Sequence, residues 1–347
     1  MGGVQCSILP DETLCHADAI VLGDAESVWP QVLKDFSDGQ MKKVYRDEQA
    51  TKTLVHVPPR RDIFRKYKYF PNNVIETGRG CPHTCDFCTV AAMHGGLYKK
   101  KSIPDVVRDI ESLSGKDLYI ADDNFVANQK YVIELCKAIA PYGLHWVVEG
   151  SILMARNPEL MRWMAKAGCV CILNGFESLN PETLKLMGKS WTQTVRTYEE
   201  SIRAIRDHGI SIYGSFVLGY DTDTADDIER TVEFAIEQKL ALASFNQVIP
   251  FPGTNLYRRL EAEKRLLYDK WWLDPDYFME KPIFKPGRMA PEALSRGVVK
   301  ARMEFYRFSN ACKRFLDFGA NMRNLINAYF FFRSNFTAWK DTVVQDN

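Results

Sequence analysis

Six short apolar runs recur through the middle of the chain: Asn73 to Thr77, Leu118 to Ala121, His145 to Val148, Val170 to Leu173, Ile210 to Leu218 and Phe245 to Ile249. Between them lie segments with apolar residues at helical spacing, such as Val106, Ile110 and Leu113, or Ile228, Val232, Ala235 and Ile236. A strand-length run alternating with an amphipathic helix predicts βαβ units around a parallel sheet. Six repeats in roughly 180 residues predict a partial or full barrel, with functional side chains at the C-terminal strand ends.

The flanks read differently. Residues 1–48 hold one strand-like run, Ala19 to Gly23, and a helical pattern at Val28, Val32, Leu33 and Phe36, as in a piece of an α/β unit. Residues 49–71 form a basic, proline-marked linker running from Val57-Pro58-Pro59-Arg60-Arg61 towards Lys66-Tyr67-Lys68. The regular core is expected over 72–260 and a mainly helical extension over 261–347. That extension is unusually aromatic, with Tyr329-Phe330-Phe331-Phe332 and Trp339. Large aromatics are chiefly core material, yet the same run could wall an apolar pocket or touch a membrane surface.

Composition narrows the class. Of 347 residues 46% are hydrophobic, which excludes a disordered chain. Lys+Arg 45 against Asp+Glu 44 leaves a net charge of +1, so no field gathers nucleic acid. No run approaches the ~18 apolar residues of a spanning helix, and Met1-Gly2-Gly3-Val4-Gln5-Cys6 lacks the form of a secretory signal. Nine cysteines without an export signal predict thiols or metal ligands in a reducing compartment, hence a cytoplasmic protein.

Three of those cysteines carry the chemistry. They lie in Glu76-Thr77-Gly78-Arg79-Gly80-Cys81-Pro82-His83-Thr84-Cys85-Asp86-Phe87-Cys88, just after the first strand of the repeat. Iron–sulfur sites usually use four protein thiolates. Here the next cysteine is Cys136, in a helical segment. A [4Fe–4S] cluster on Cys81, Cys85 and Cys88 would keep one iron open, and an open metal position marks chemistry rather than structure. The competing reading is a structural zinc site completed by His83 or His94, whose usual signature is two separated ligand pairs.

The spacing Cys81-x3-Cys85-x-Phe87-Cys88 after a first β-strand resembles the radical S-adenosylmethionine (SAM) superfamily. The flank Glu76-Thr77-Gly78-Arg79-Gly80 is more similar to the branch carrying an N-terminal cobalamin-binding domain, and the likeness covers roughly residues 15 to 260. The resemblance implies a partial (β/α)6, TIM-like barrel. It also implies that SAM chelates the open iron and that one electron splits it to a 5′-deoxyadenosyl radical, which abstracts a substrate hydrogen atom. A reductase, flavodoxin or ferredoxin is the implied electron donor. The substrate is expected to be a small molecule, apolar or lipid-like, with peripheral membrane contact. A cobalamin-assisted methyltransferase is the alternative within enzymes, and a non-catalytic iron–sulfur or zinc protein the alternative outside them.

Other positions carry over from the same likeness. Phe87 is the aromatic of the cysteine pattern. Asp122, Asp123 and Asn124 stand where the family holds SAM's amino group, although aspartates replace its glycines. An N-cap is the plainer role there. Glu149 and Ser151 end the third strand. Glu177, in a Gly175-Phe176-Glu177-Ser178 turn after the fourth apolar run, resembles a ribose-contacting position and is expected on the wall opposite the cysteine loop. Leu218 ends the fifth strand near the adenine. Gly2 to Val4 and Ala17 to Glu26 resemble the closing part of a cobalamin-binding domain, here expected as a remnant, so cobalamin is the less expected cofactor.

Overall fold

The computed structural model describes residues 1–47, 52–66, 73–193, 197–278 and 281–344. Parts of the linker, including Tyr67 and Lys68, lie outside these.

The chain opens with α1 (Val4–Ile8), α2 (Pro10–Leu14), β1 (Ile20–Leu22), α3 (Trp29–Ser37) and β2 (Val44–Arg46), and β1 and β2 pair in parallel. Then come β3 (Val74–Ile75), a hairpin of β4 (Gly78–Gly80) and β5 (Tyr98–Lys100) spanned by α4 (Thr89–His94), and α5 (Ile103–Glu111). The repeat continues with β6 (Asp117–Ile120), α6 (Gln129–Ile139), β7 (His145–Gly150), α7 (Pro158–Lys166), β8 (Cys169–Glu177), α8 (Pro181–Leu186) and α9 (Tyr198–Asp207). It closes with β9 (Ser211–Leu218), α10 (Ala225–Glu237) and β10 (Leu242–Gln247). Beyond lie α11 (Asn255–Ala262), α12 (Pro291–Tyr306), α13 (Phe308–Phe315) and α14 (Leu325–Val344).

Strands β3, β6, β7, β8, β9 and β10 form one six-stranded parallel sheet in that spatial order, so each crossover moves one strand along. Of the partial and full barrels left open by the apolar runs, the partial (β/α)6 form that the resemblance implies is the fold, with an α/β segment before it and helices after it. Alternate residues divide its two faces. Trp146, Val148, Ile172, Phe176, Ile212, Phe216 and Phe245 are buried against the helices. Tyr119, Val147, Glu149, Tyr213 and Val217 point to the other, concave face and are less covered. Phe176, Phe216 and Phe245 stack in series across three strands, at centroid spacings of 5.5 Å. Such offset aromatic stacking adds specificity to an apolar layer.

Cys136, Cys169 and Cys171 are buried. Two boundaries differ from the expectation. The last sheet strand spans Leu242–Gln247 because Leu242 and Ala243 pair with Tyr213 and Gly214. The fourth runs on to Glu177, so Gly175-Phe176-Glu177 is its bulged end and not a turn beyond it.

The C-terminal aromatics are split. Phe305, Tyr306 and Phe331 are buried, whereas Phe308, Phe318, Tyr329, Phe332, Phe336 and Trp339 are exposed. No described helix is long and apolar enough to cross a membrane.

Candidate active site

The cysteine loop leaves β4 through Gly80, whose φ of +86° is left-handed and whose missing Cβ would collide with the Leu97 carbonyl oxygen. Only glycine meets both demands. Beside it, Arg79 reaches three carboxylates: Asp24 at 2.7 Å, Glu26 at 2.8 Å and Glu76 at 2.7 Å. Lys99 joins Asp24 at 2.7 Å. Burial opposes ionisation of Asp24 and Glu26, but hydrogen bonds from Lys99 and Arg79 win and hold both below the usual carboxylate range. The N-terminal segment is thus tied to the start of the cysteine loop by charge.

The residues between the thiols are docking points. His83 lies flat on Trp191, with ring centroids 3.7 Å apart. Asp86 donates its N–H to the Met187 carbonyl at 3.1 Å and accepts at its own carbonyl from Leu256 N–H at 3.0 Å. Its carboxylate accepts from the Tyr220 hydroxyl, and Phe87 meets Tyr220 edge-on. Burial raises the Asp86 carboxyl against that hydrogen bond. The loop is therefore held from segments following β8, β9 and β10.

Cys81, Cys85 and Cys88 are free and partly exposed. Burial pushes the Cys85 thiol up to about 11 and raises Cys88 as well, with the neighbouring thiols adding to both. Three mutually interacting thiols on one fixed loop are a fitting donor set for a [4Fe–4S] cluster. Among the described residues no three His, Cys, Asp or Glu side chains converge on one point. A cube-shaped cluster held by this loop would take one thiolate at each of three irons and leave the fourth open. Metal coordination deprotonates such thiols outright.

The segment after β6 braces this loop. Asp122 is buried and accepts from Thr77 N–H at 2.6 Å and Thr77 Oγ1 at 2.5 Å. Asp123 accepts from Gly80 N–H at 2.6 Å, and Asn124 Nδ2 approaches Cys81 Sγ at 3.3 Å. Asn124 makes no side-chain cap on the helical turn that follows. With both carboxylates engaged, this segment offers a ligand its backbone carbonyls and Asn124.

Burial lifts the Asp122 carboxyl to about 6, against the lowering effect of the Thr77 hydrogen bonds. The protonated acid is thus favoured in the folded chain, and its stabilisation, full below pH 4, is lost as pH rises through 6. Replacing Asp122 by Asn should remove that pH dependence, on the order of 2–3 kcal/mol, from urea midpoints between pH 4 and 7. Parallel curves for the two proteins would refute it.

At the end of β7, Glu149 accepts from Tyr119 Oη at 3.0 Å, and burial raises its carboxyl. Ser151 Oγ accepts from Leu153 N–H at 3.3 Å, a cap on the next turn. Glu177 is buried at φ +62°, a strained position for a residue with a Cβ, and pairs with Lys189 at 2.6 Å. A Cβ on Gly175 would collide with the Glu177 carboxylate, which explains the glycine two residues earlier. Lys189 also acts electrostatically on Cys85 and Cys88. Glu177 is thus linked through Lys189 to the cysteine loop instead of facing it across an open mouth. Leu218 is buried at the end of β9, where Asp223 accepts from Gly219 N–H and Tyr220 N–H at 3.0 Å each. Pro252 and Gly253 form a turn before Thr254, which caps α11.

Arg79, Lys189, Trp191 and Tyr220 were not among the expected site residues. Tyr220 follows the flagged Leu218-Gly219 pair, so proximity was a usable signal; Lys189 and Trp191 carry none. A cavity of about 690 Å³ opens at the opposite, N-terminal strand ends, below the Tyr119–Glu149 pair, where Tyr213, Tyr306 and Phe330 line it.

Comparison with known proteins places this arrangement. Residues 75–235 match the family described as the radical SAM superfamily. The chain is 29% identical, over 90% of its length and 70% of the relative's, to a bacteriochlorophyllide d C-12(1)-methyltransferase of Chlorobaculum tepidum. It is 26% identical, over 94% of its length and 75% of the relative's, to the C-8(2)-methyltransferase of the same organism. Among solved folds, the cobalamin-dependent SAM radical enzyme OxsB superposes with a TM-score of 0.68 at 14% identity, covering 98% of this chain and 58% of that one. The chain thus spans under three-fifths of that solved structure. The cysteine loop and strands β4 to β9 all fall within residues 75–235, the stretch that matches the radical SAM superfamily, whose members work with a [4Fe–4S] cluster and S-adenosylmethionine.

Proposed function

We propose that Cys81, Cys85 and Cys88 hold the cluster and that the enzyme transfers a methyl group to a large, flat, mostly apolar ring compound. The observation that supports the reaction and substrate class is the likeness, over nine-tenths of the chain, to two methyltransferases named for bacteriochlorophyllide d. When bound, cluster and SAM supply one-electron cleavage chemistry at the C-terminal strand ends. This chain's residues then position and shield. Glu177, fixed by Lys189 and held at positive φ, presents a carboxylate towards a ribose. Asn124 and the carbonyls near Asp122 and Asp123 receive an amino group, while Phe87 and Leu218 provide apolar wall. Glu149 and Ser151 complete the polar rim at the end of β7. Apolar and half-buried surroundings keep water from a reactive carbon centre.

The test is anaerobic reconstitution with iron and sulfide, followed by dithionite as reductant, SAM carrying a deuterated methyl group and a chlorin or porphyrin acceptor, with and without added cobalamin. Label in the acceptor supports methyl transfer. 5′-Deoxyadenosine without label in the acceptor would retain the radical chemistry and discard the methyl transfer. A fully loaded cluster that leaves SAM intact would discard both.

A further inference from the structure

Helix α14 is mounted with its polarity reversed. Asn327 donates to the Gly209 carbonyl at 3.1 Å, and Asn335 donates to the Ala241 carbonyl at 3.0 Å. Buried Arg314 donates to Asn335 Oδ1 at 3.0 Å, and Phe331 is buried between the two asparagines. These four groups set the rotation of the helix about its axis. The opposite face carries Leu325 (89% exposed), Tyr329 (63%), Phe332 (57%), Phe336 (66%) and Trp339 (47%). Steps of four, three, four and three residues place all five on one stripe. Phe318, 72% exposed, lies just before the helix. A contiguous apolar face of this kind marks an interaction surface, since soluble monomers seldom leave one open.

Charge selects the partner. From Phe318 to Lys340 there is no Asp or Glu, and the charged residues are Arg323, Arg333 and Lys340, all exposed. Two copies of this face would bring like charges together. An anionic surface complements it. Tyr and Trp at the stripe have polar edges suited to headgroup depth, and Phe and Leu suit the acyl boundary. We propose that the exposed stripe of α14 docks the enzyme on the surface of an anionic lipid bilayer, with the helix lying along the interface. The inference does not depend on the reaction catalysed at the other site.

Vesicle flotation of the intact protein tests it. Binding is expected to vesicles of phosphatidylcholine mixed with phosphatidylglycerol, to be weaker for phosphatidylcholine alone, and to fall with added salt. The double variant Phe336→Ser, Trp339→Ser should lose affinity by about tenfold or more, while its iron content after reconstitution and its SAM cleavage in lipid-free buffer stay unchanged. If that variant does not fold, Lys340→Glu and quenching of wild-type tryptophan fluorescence by brominated lipid read the same contact. Failure of the wild type to float with anionic vesicles at low salt overturns the proposal. So does a lipid-free dimer that the double variant splits, which would assign the stripe to a second copy of the chain.

Discussion

Alanine in place of any one of Cys81, Cys85 or Cys88 is expected to abolish SAM cleavage, a loss on the order of 10⁶-fold or more, since no other step replaces the lost chemistry. Each thiol is one of three, and none of the other six cysteines lies on this loop. Cys136, Cys169 and Cys171 are buried in the sheet-and-helix core, Cys6 is buried in a small N-terminal cluster of its own, and the exposed Cys15 and Cys312 lie at the end of α2 and on α13. Because burial raises the Cys85 and Cys88 thiols, assembly must release protons, so cluster loading should improve as pH rises from 7 towards 9. Iron and sulfide per chain, measured after anaerobic purification, check the assignment. A triple alanine variant that still carries one full cluster would place the ligands elsewhere.

The second large effect is expected far from the site. Arg314 is fully buried, and it forms no ion pair with a carboxylate among the described residues. It donates to the carbonyls of Leu240 (3.1 Å), Ala241 (2.9 Å) and Phe305 (3.1 Å), and to Asn335 (3.0 Å). Its guanidinium also lies 3.7 Å from the centre of the Phe305 ring. Desolvation lowers its pKa to about 10, so it stays charged at neutral pH. Carbonyl dipoles and the ring face offset part of the burial cost. Arg314→Met fills much of the volume but strands several buried acceptors at ~1–3 kcal/mol each, for a total loss of roughly 3–5 kcal/mol. The residue joins α12, α13 and α14 to the start of β10, so barrel and C-terminal helices should unfold together. Denaturation followed by fluorescence and by circular dichroism should give coincident transitions, both at lower denaturant in the variant. An unchanged midpoint would show that water or rearranged side chains satisfy those carbonyls.

The barrel could be read from the sequence because its strands are buried on the helix side and its helices repeat at 3.6 residues. Both periods survive in the order of residues. The cysteine loop was legible for a different reason, since ligand spacing is a local property. What escaped reading depends on contacts between distant segments. Lys189 looks like any surface lysine until Gly175 clears room for Glu177 to meet it. Gly175 to Glu177 read as a turn because a bulge and a positive φ at the strand end leave no mark on periodicity. The aromatic C-terminal run resembled core for a physical reason: a stripe of large rings at helical spacing has the same pattern whichever way the helix faces. Asn327, Asn335 and the buried charge of Arg314 decide the facing, and polar residues in a helix ordinarily point to water.

His83, Asp86 and Phe87 have a thermodynamic consequence as well. Ordering backbone costs ~1–2 kcal/mol per residue, so a free eight-residue loop from Cys81 to Cys88 would consume roughly 8–16 kcal/mol on binding a ligand. Here Trp191, Tyr220, Met187 and Leu256 already grip the spacers. The entropy is surrendered when the chain folds, at the expense of global stability, and not when the cofactor arrives. Affinity for iron and sulfide then reflects mainly bond formation and proton release, and a chain stripped of its cluster should retain the loop's shape and reload without refolding.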